Sequence, residues 1–152
     1  MNELQVVVKQ EKSGYQIVEA YKSLRTNLQF CGEDKKVIAI TSCTPNEGKS
    51  SVSMQLGISL AEIGKRVILI DADLRKSVLL GRTKTEKSVR GLAHFLSGQA
   101  SLEDVICATN IKNFYMIYSG PFPPNPAELL GGKNFRSLLN ALRKVYDYVI
   151  VD

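Results

Sequence analysis

The chain has 152 residues, of which 44% are hydrophobic and 23% are charged, and its formal charge is +5. This composition is typical of one globular domain. Without an 18-residue apolar run or the apolar core of a signal peptide, neither a membrane span nor secretion is expected. Three widely spaced cysteines argue against a disulfide framework and a zinc site, and the lack of basic tracts interleaved with aromatics argues against nucleic-acid binding. We therefore expect a cytoplasmic protein with reduced thiols.

Predicted helices and strands alternate along the chain after a polar leader, residues 1–14. Hydrophobic periodicity and helix-capping signals predict helices at 15–30, 49–63, 92–96, 101–107, 126–131 and 135–145. Continuous or alternating apolar runs predict strands at 36–42, 67–70, 114–118 and 146–152, the first of them buried. This order predicts one α/β domain over 15–152, with a mainly parallel sheet and helices on both faces. Ligands of such sheets bind at the carboxyl ends of the strands.

The strongest motif lies between the first predicted strand and the helix at 49–63. It fits the phosphate-binding pattern GxxxxGK[ST], except that Cys43 replaces the first glycine. Backbone N–H groups of such a loop surround an anion at a helix N-terminus, where Lys49 can bridge phosphates and Ser50 can ligate magnesium. Because a strand precedes the motif and a helix follows it, a chance match is the weaker interpretation. The predicted nucleotide-binding residues are Cys43, Thr44, Pro45, Asn46, Glu47, Gly48, Lys49, Ser50 and Ser51.

Two other predicted strands end in carboxylates. The strand at 67–70 runs into the pattern DxDxR, so Asp71 and Asp73 project to the same side if the segment is extended. Neighbouring carboxylates repel one another unless a cation lies beside them, which favours a magnesium-linked site. The last strand ends in Asp152, as a Walker B strand does. Taken alone, an aspartate at such a place is also compatible with an ordinary turn.

The segments PNEGKS, VILIDADLR, PPNPAELL and YDYVIVD together resemble the bacterial protein-tyrosine kinases of the capsular and exopolysaccharide type, known as BY-kinases. The resemblance covers residues 15–152. It implies a P-loop NTPase fold and an ATP- and magnesium-dependent kinase that phosphorylates protein tyrosines, including its own. PPNPAELL is then expected to shape the rim of the active site.

The resemblance also implies roles for the motif residues. Lys49 and Ser50 are expected to engage ATP and magnesium, and Asp71 and Asp73 are expected to serve the metal. Asp71 is further expected to accept the proton of the acceptor tyrosine late in the transfer. Asp152 is expected to support the metal through water. His94, among apolar residues, is expected to be structural rather than catalytic.

A charged face of the first predicted helix carries Glu19, Lys22 and Arg25 at three-residue spacing. The simplest interpretation is a solvated face with one Glu–Lys pair. The family has an ExxRxxR motif at this place that contacts neighbouring subunits in a ring. Here Lys22 replaces the first arginine, and lysine cannot form the bidentate contacts of arginine, so we expect a weaker interface.

Two other functions stay open at the level of sequence. Partitioning and division-site ATPases of the deviant Walker A class have a lysine five positions before the P-loop lysine, and this chain has Thr44 there. The arginine of DxDxR, Arg75, also favours the kinase. A nucleotide-binding scaffold without transfer activity would differ from a kinase by leaving no phosphotyrosine.

The resemblance extends to partners and to the chain end. Gram-positive kinases of this type are separate from their membrane anchor, which implies a peripheral location at the inner face of the plasma membrane. The expected partner is a transmembrane activator, a polysaccharide co-polymerase protein. Because the Walker B proline, later strands, the adenine site and a tyrosine-rich tail are expected after Asp152, the C-terminal part of the fold is expected to be missing. ATP affinity and activity of this piece are then expected to be low.

Overall fold

The computed structural model describes residues 2–8, 14–41, 49–75, 83–85 and 89–152. Its strands are β1 (Asn2–Val8), β2 (Val37–Ala39), β3 (Val67–Ile70), β4 (Thr83–Thr85), β5 (Cys107–Thr109), β6 (Phe114–Ile117) and β7 (Tyr148–Val151). Its helices are α1 (Tyr15–Phe30), α2 (Lys49–Glu62), α3 (Leu92–Leu96), α4 (Leu102–Val105), α5 (Pro126–Gly131) and α6 (Lys133–Val145). Among the residues described, no helix is long and apolar enough to cross a membrane.

The strands form one mixed sheet in the order β2-β7-β3-β6-β5-β1-β4. The pairs β2–β7, β7–β3, β3–β6 and β1–β5 are parallel, while β5–β6 and β1–β4 are antiparallel. Parallel neighbours need crossover connections, and the helices between them provide these. The prediction of a mainly parallel α/β sheet is confirmed.

Helices cover both faces of the sheet, as the alternation of side chains in β3 shows. Val67 and Leu69 point into the core that α2 covers, while Ile68 and Ile70 point into the core beneath α3 and α6. All four side chains are fully buried. This explains why β3 reads as a continuous apolar run rather than as an alternating one.

Glycines determine where α2 ends and how closely it packs against the sheet. The helix stops before Gly64, whose φ of +87° is the left-handed conformation that favours glycine after a helix. Inside the helix, a Cβ at Gly57 would collide with the ring of Phe114. Gly57 therefore lets α2 approach β6 closely, and this fixes the helix against the sheet that positions its first turn.

The expectation that the strand after α1 is buried is wrong. β2 is the edge strand of the described sheet, paired only with β7 there, and Val37 is 38% exposed. An apolar run of this length suits an edge strand as well as a central one, so the sequence did not separate the two. The predicted helix α1 is present, but none of its residues is buried. Leu28 packs against the core, whereas Ile17 is 52% exposed.

Three local differences have physical causes. The leader contains β1, with Val6 and Val8 buried, because β5 and β4 supply partners from distant parts of the chain. Cys107 begins β5 instead of ending the preceding helix. The predicted capping side chain of Asn125 makes no cap hydrogen bond, since its amide donates to Glu128 Oε2 at 3.3 Å.

Candidate functional site

The carboxyl ends of β2, β7 and β3 meet at one edge of the sheet, where the predicted site residues lie. Backbone hydrogen bonds extend the sheet beyond the strands: Asp152 N–H donates to Ile70 O at 2.9 Å, and Ala72 N–H donates to Asp152 O at 3.0 Å. Asp71 N–H donates to Ile117 O at 2.9 Å. The carboxylates that follow β3 and β7 are thus held on neighbouring strands at the ligand-binding edge.

Three side chains of α2 contact Asp152 at this edge. The side chain of Asp152 is 1% exposed, and it accepts hydrogen bonds from Ser50 Oγ at 3.0 Å and from Ser53 Oγ at 2.7 Å. Lys49 Nζ lies 3.5 Å from Asp152 Oδ1, with its side chain 25% exposed. A buried carboxylate needs such partners because desolvation otherwise disfavours its charge. These contacts therefore link the first turn of α2 to the end of β7.

Ser53 is a site residue that the motif did not reveal. It lies three positions after Ser50, so both hydroxyls occupy one face of α2 and reach the two oxygens of Asp152. The Ser53 hydroxyl also lies 3.1 Å from Lys49 O. The signal was present in the sequence as a second serine one turn after the P-loop serine.

Asp71 and Asp73 each accept a hydrogen bond from the backbone N–H two residues further along the chain. Asp73 N–H donates to Asp71 Oδ1 at 3.2 Å, and Arg75 N–H donates to Asp73 Oδ1 at 3.2 Å. A carboxylate oxygen that accepts a hydrogen bond from the backbone N–H two residues later is typical of an Asx turn. Asp71 is almost fully buried, and Asp73 is half-buried. That the two carboxylates project to the same side stays a prediction.

The donor set at this edge suits a hard cation, since it consists of hydroxyl and carboxylate oxygens. Ser50 and Asp152 are in direct contact and supply one of each. Across the described residues, no three His, Cys, Asp or Glu side chains gather closely enough to hold a metal by themselves. Ligation of magnesium by Ser50, Asp71, Asp73 and Asp152 stays a prediction.

Most of the predicted phosphate loop lies outside the described residues. This applies to Cys43, Thr44, Pro45, Asn46, Glu47 and Gly48. Ser51 is described, half-buried in the first turn of α2. The loop's predicted contacts with a nucleotide therefore stay predictions, while the helix start that follows it is in place.

The charged face of α1 divides into an exposed pair and an internal contact. Lys22 Nζ lies 3.3 Å from Glu19 Oε1 at the surface. Arg25 instead donates from Nη1 to Ser59 O at 3.0 Å and to Ser59 Oγ at 3.2 Å, and lies 3.9 Å from Glu62. Arg25 thus fastens α1 to α2, and the predicted subunit interface of Glu19, Lys22 and Arg25 stays a prediction.

His94 has a structural contact, as predicted. Its Nδ1 accepts a hydrogen bond from Gly91 N–H at 3.0 Å, at the start of α3. A cavity of about 210 Å³ separates this helix from the proline-rich segment 121–125. The segment follows β6 at the carboxyl edge of the sheet, and its expected role at the rim of the active site stays a prediction.

These features define a P-loop NTPase fold: a mostly parallel sheet between helix layers, with a lysine and a serine at a helix start facing a strand-end aspartate. The AAA domain family matches residues 35–152. The chain is 40% identical over 152 residues to "Tyrosine-protein kinase CpsD" of Streptococcus agalactiae, covering all of this chain and 66% of that protein. It is 39% identical over 137 residues to "Putative tyrosine-protein kinase in cps region" of Klebsiella pneumoniae, covering 89% of this chain and 19% of that protein.

Solved structures agree with this grouping. The kinase domain of Escherichia coli tyrosine kinase ETK matches with a TM-score of 0.81 at 37% identity, over 89% of this chain and 53% of that chain. The septum site-determining protein MinD of Pyrococcus horikoshii, complexed with Mg-ADP, matches with a TM-score of 0.63 at 28% identity, over 77% and 48% of the two chains. The chain belongs to the AAA domain family, whose model matches residues 35–152, and it is similar to bacterial protein-tyrosine kinases, as its motifs indicated. It spans slightly less than two thirds of the streptococcal relative.

Proposed function

We propose that the protein is an ATP- and magnesium-dependent protein-tyrosine kinase that phosphorylates itself and other proteins in capsular or exopolysaccharide synthesis. The observation that carries the proposal is the convergence of Lys49, Ser50 and Ser53 on the buried Asp152. This arrangement joins a mobile cation and a hydroxyl at a helix N-terminus to a strand-end acid. Phosphoryl transfer requires mainly such positioning and charge neutralisation.

The residues of the chain have distinct tasks in this proposal. Because the side chain of Lys49 is flexible, its ammonium group can leave Asp152 and bind phosphate oxygens instead. Magnesium, when bound, neutralises phosphate charge, and Ser50 and Asp152 offer it oxygen ligands. Asp71 accepts the tyrosine proton late in the transfer, and its burial at the strand edge limits competing water.

Replacing Lys49 tests the proposal directly. We expect Lys49→Ala to abolish phosphotyrosine formation with ATP, magnesium and a tyrosine-containing peptide, because the phosphates lose their cation. Lys112→Ala is the matched control, since Lys112 is an exposed lysine at the opposite end of the sheet. Phosphotyrosine detected by antibody at an unchanged level in Lys49→Ala would contradict the assignment.

A nucleotide-dependent switch ATPase is the second candidate, favoured by the likeness to MinD. It predicts ATP hydrolysis and nucleotide-dependent association without phosphotyrosine. A nucleotide-binding scaffold predicts ATP binding with neither hydrolysis nor transfer. Measuring phosphate release, phosphotyrosine and ATP binding in the same reaction therefore separates the three functions.

We further propose a transmembrane partner and a ring of subunits. The relative encoded in a cps region supports a link to polysaccharide synthesis, and the exposed Glu19–Lys22 pair supports an available α1 surface. The partner would hold the kinase at the inner face of the plasma membrane. Co-purification of a polysaccharide co-polymerase protein with the kinase, lost on deleting the partner's cytoplasmic tail, is the expected result, and unchanged capture would contradict it.

A further inference from the structure

The end of the sheet opposite Asp152 carries a basic surface. The parallel strands β2, β7, β3 and β6 begin there, and the helices α1, α2 and α6 end there, because helices in this fold run antiparallel to the strands. Basic side chains precede each of these four strands. We call six of them the basic edge: Lys35, Lys36, Lys65, Lys112, Arg143 and Lys144.

Backbone hydrogen bonds place these segments side by side. Val149 N–H donates to Lys36 O at 2.7 Å, and Asp147 N–H donates to Arg66 O at 2.8 Å. Val67 N–H donates to Asn113 O at 2.8 Å, next to Lys112. Four adjacent parallel strands span about 15 Å at the usual spacing. The six cations therefore occupy one continuous end of the sheet, although they come from separate parts of the sequence.

Four carboxylates, those of Glu33, Asp34, Glu62 and Asp147, lie near the six cations of the basic edge, so they reduce its positive charge without cancelling it. Asp34 lies 3.6 Å from Lys35, both side chains being mostly exposed. Asp147 accepts Arg66 N–H at 2.8 Å, and Glu62 lies 3.9 Å from Arg25. Glu33 is the other acid of the α1–β2 connection.

One part of the basic edge forms a cleft. Lys36 Nζ donates to Arg143 O at 3.4 Å, and a cleft of about 530 Å³ lies between Asp34, Lys36, Asn140, Arg143 and Lys144. The dipole of α6 accounts for a preference for cations in its last turn, at Arg143 and Lys144. The helix dipole does not explain why Lys36 and Lys112 are basic, since these residues precede strands.

Large apolar side chains are exposed among these cations. Phe30 at the end of α1 is 83% exposed, Val145 at the end of α6 is 54% exposed, and Ile63 after α2 is 38% exposed. Phe30 and Ile63 flank one face of the sheet and Val145 flanks the other. Exposed apolar groups interleaved with lysines are typical of surfaces that lie on anionic membranes.

We propose that the basic edge binds a membrane surface that contains anionic lipid headgroups. Mobile lysine charges suit a fluid layer of headgroups, and the three apolar side chains reach the boundary with the acyl chains. Such docking turns the carboxyl edge, with Asp152, away from the membrane. The proposal does not depend on phosphoryl transfer, because the two surfaces are at opposite ends of the sheet.

Vesicle sedimentation tests this surface. We expect the protein to sediment with vesicles of phosphatidylcholine and phosphatidylglycerol, to remain in solution with phosphatidylcholine alone, and to detach as salt is raised. Lys36→Gln with Lys144→Gln should weaken binding about tenfold or more, and Phe30→Ser should weaken it in the anionic vesicles. Lys133→Gln with Arg136→Gln, two exposed cations at the start of α6, should leave binding unchanged.

Three results would overturn the proposal. Equal binding to neutral vesicles would remove the role of charge, and an equal loss in the Lys133/Arg136 control would show an effect of net charge alone. Binding to DNA or polyglutamate without binding to anionic vesicles would assign the edge to another partner. Lys35→Gln with Lys112→Gln provides a second test pair if the first pair lowers the thermal midpoint.

Discussion

The two ends of strand β7 hold their polar groups in opposite ways. After the strand, Asp152 is buried and takes two hydroxyl hydrogen bonds and one ion pair, from residues 99 to 103 positions earlier in the chain. Before the strand, the Tyr146 hydroxyl and Arg66 Nε are buried without a hydrogen-bond partner in the described structure. The Arg66 guanidinium lies 5.2 Å from the ring centroid of Tyr146 and 5.3 Å from that of Tyr115.

This difference separates a polar site from a packed one. At the carboxyl end, charge and hydrogen bonding specify the position of each group, so removing one partner leaves others buried and unpaired. At the amino end, two rings in an edge-to-face pair, 5.4 Å apart, hold the arginine through their faces. The carboxyl end is therefore arranged for chemistry, while the amino end is arranged for packing.

Removing the two aspartates that flank β7 gives the largest expected contrast. Asp152→Ala should lower the free energy of unfolding by about 2 kcal/mol or more, because Ser50, Ser53 and Lys49 lose their common acceptor. Asp147→Ala should cost much less, since Asp147 is exposed and accepts one backbone bond. Urea denaturation of both variants measures this difference. Equal losses in the two variants would show that burial of Asp152 contributes nothing to the contrast.

A smaller effect is expected from the stacked arginine. Arg66→Leu should lower the free energy of unfolding by about 1 kcal/mol, because two cation–π contacts are lost while apolar contact with the rings is partly kept. ATP binding should be unchanged, as Arg66 lies at the end of the sheet away from Asp152. Denaturation and nucleotide titration of this variant test both points. A loss of ATP affinity would contradict the separation of the two ends.

Local patterns predicted much of this fold, and long-range pairing explains what they missed. The bounds of β3 agree with the prediction because its continuous apolar run begins after Lys65 and Arg66 and ends before Asp71. The start of α2 at Lys49 likewise follows from the motif. β1 was missed because its apolar run is short, and Val6 becomes core only through β5 and β4. No local signal distinguishes such a segment from a leader.

The candidate site was predictable to the same extent. The strand-end position of Asp152 and the helix-start positions of Lys49 and Ser50 followed from sequence, but their direct contact depends on β2 and β7 being neighbours. The internal role of Arg25 was not predictable, since it requires Ser59 on a second helix at the right rotation. The sequence therefore predicted where the functional side chains lie along the chain, whereas the order of strands in the sheet determines which of them are in contact.

The smallest expected effect, with the opposite sign, comes from Tyr146→Phe. The change removes a buried hydroxyl that has no hydrogen-bond partner among the residues the structure describes, so the free energy of unfolding at pH 7 should stay equal or rise by up to about 1 kcal/mol. Burial raises the pKa of Tyr146 to about 12, a shift that the nearby Arg66 partly opposes. The unfolded phenol loses its proton near pH 10.

Stability from the neutral Tyr146 is therefore complete below pH 10 and is lost as the pH rises towards 12. Tyr146→Phe should remove this part of the alkaline decline, which urea denaturation between pH 9 and pH 12, roughly the window set by the two pKa values, can measure. Tyr15→Phe is the control, because Tyr15 is 79% exposed. If Tyr146→Phe instead destabilised the protein at pH 7, the hydroxyl would have a partner, and the amino end of β7 would be a polar site like the carboxyl end.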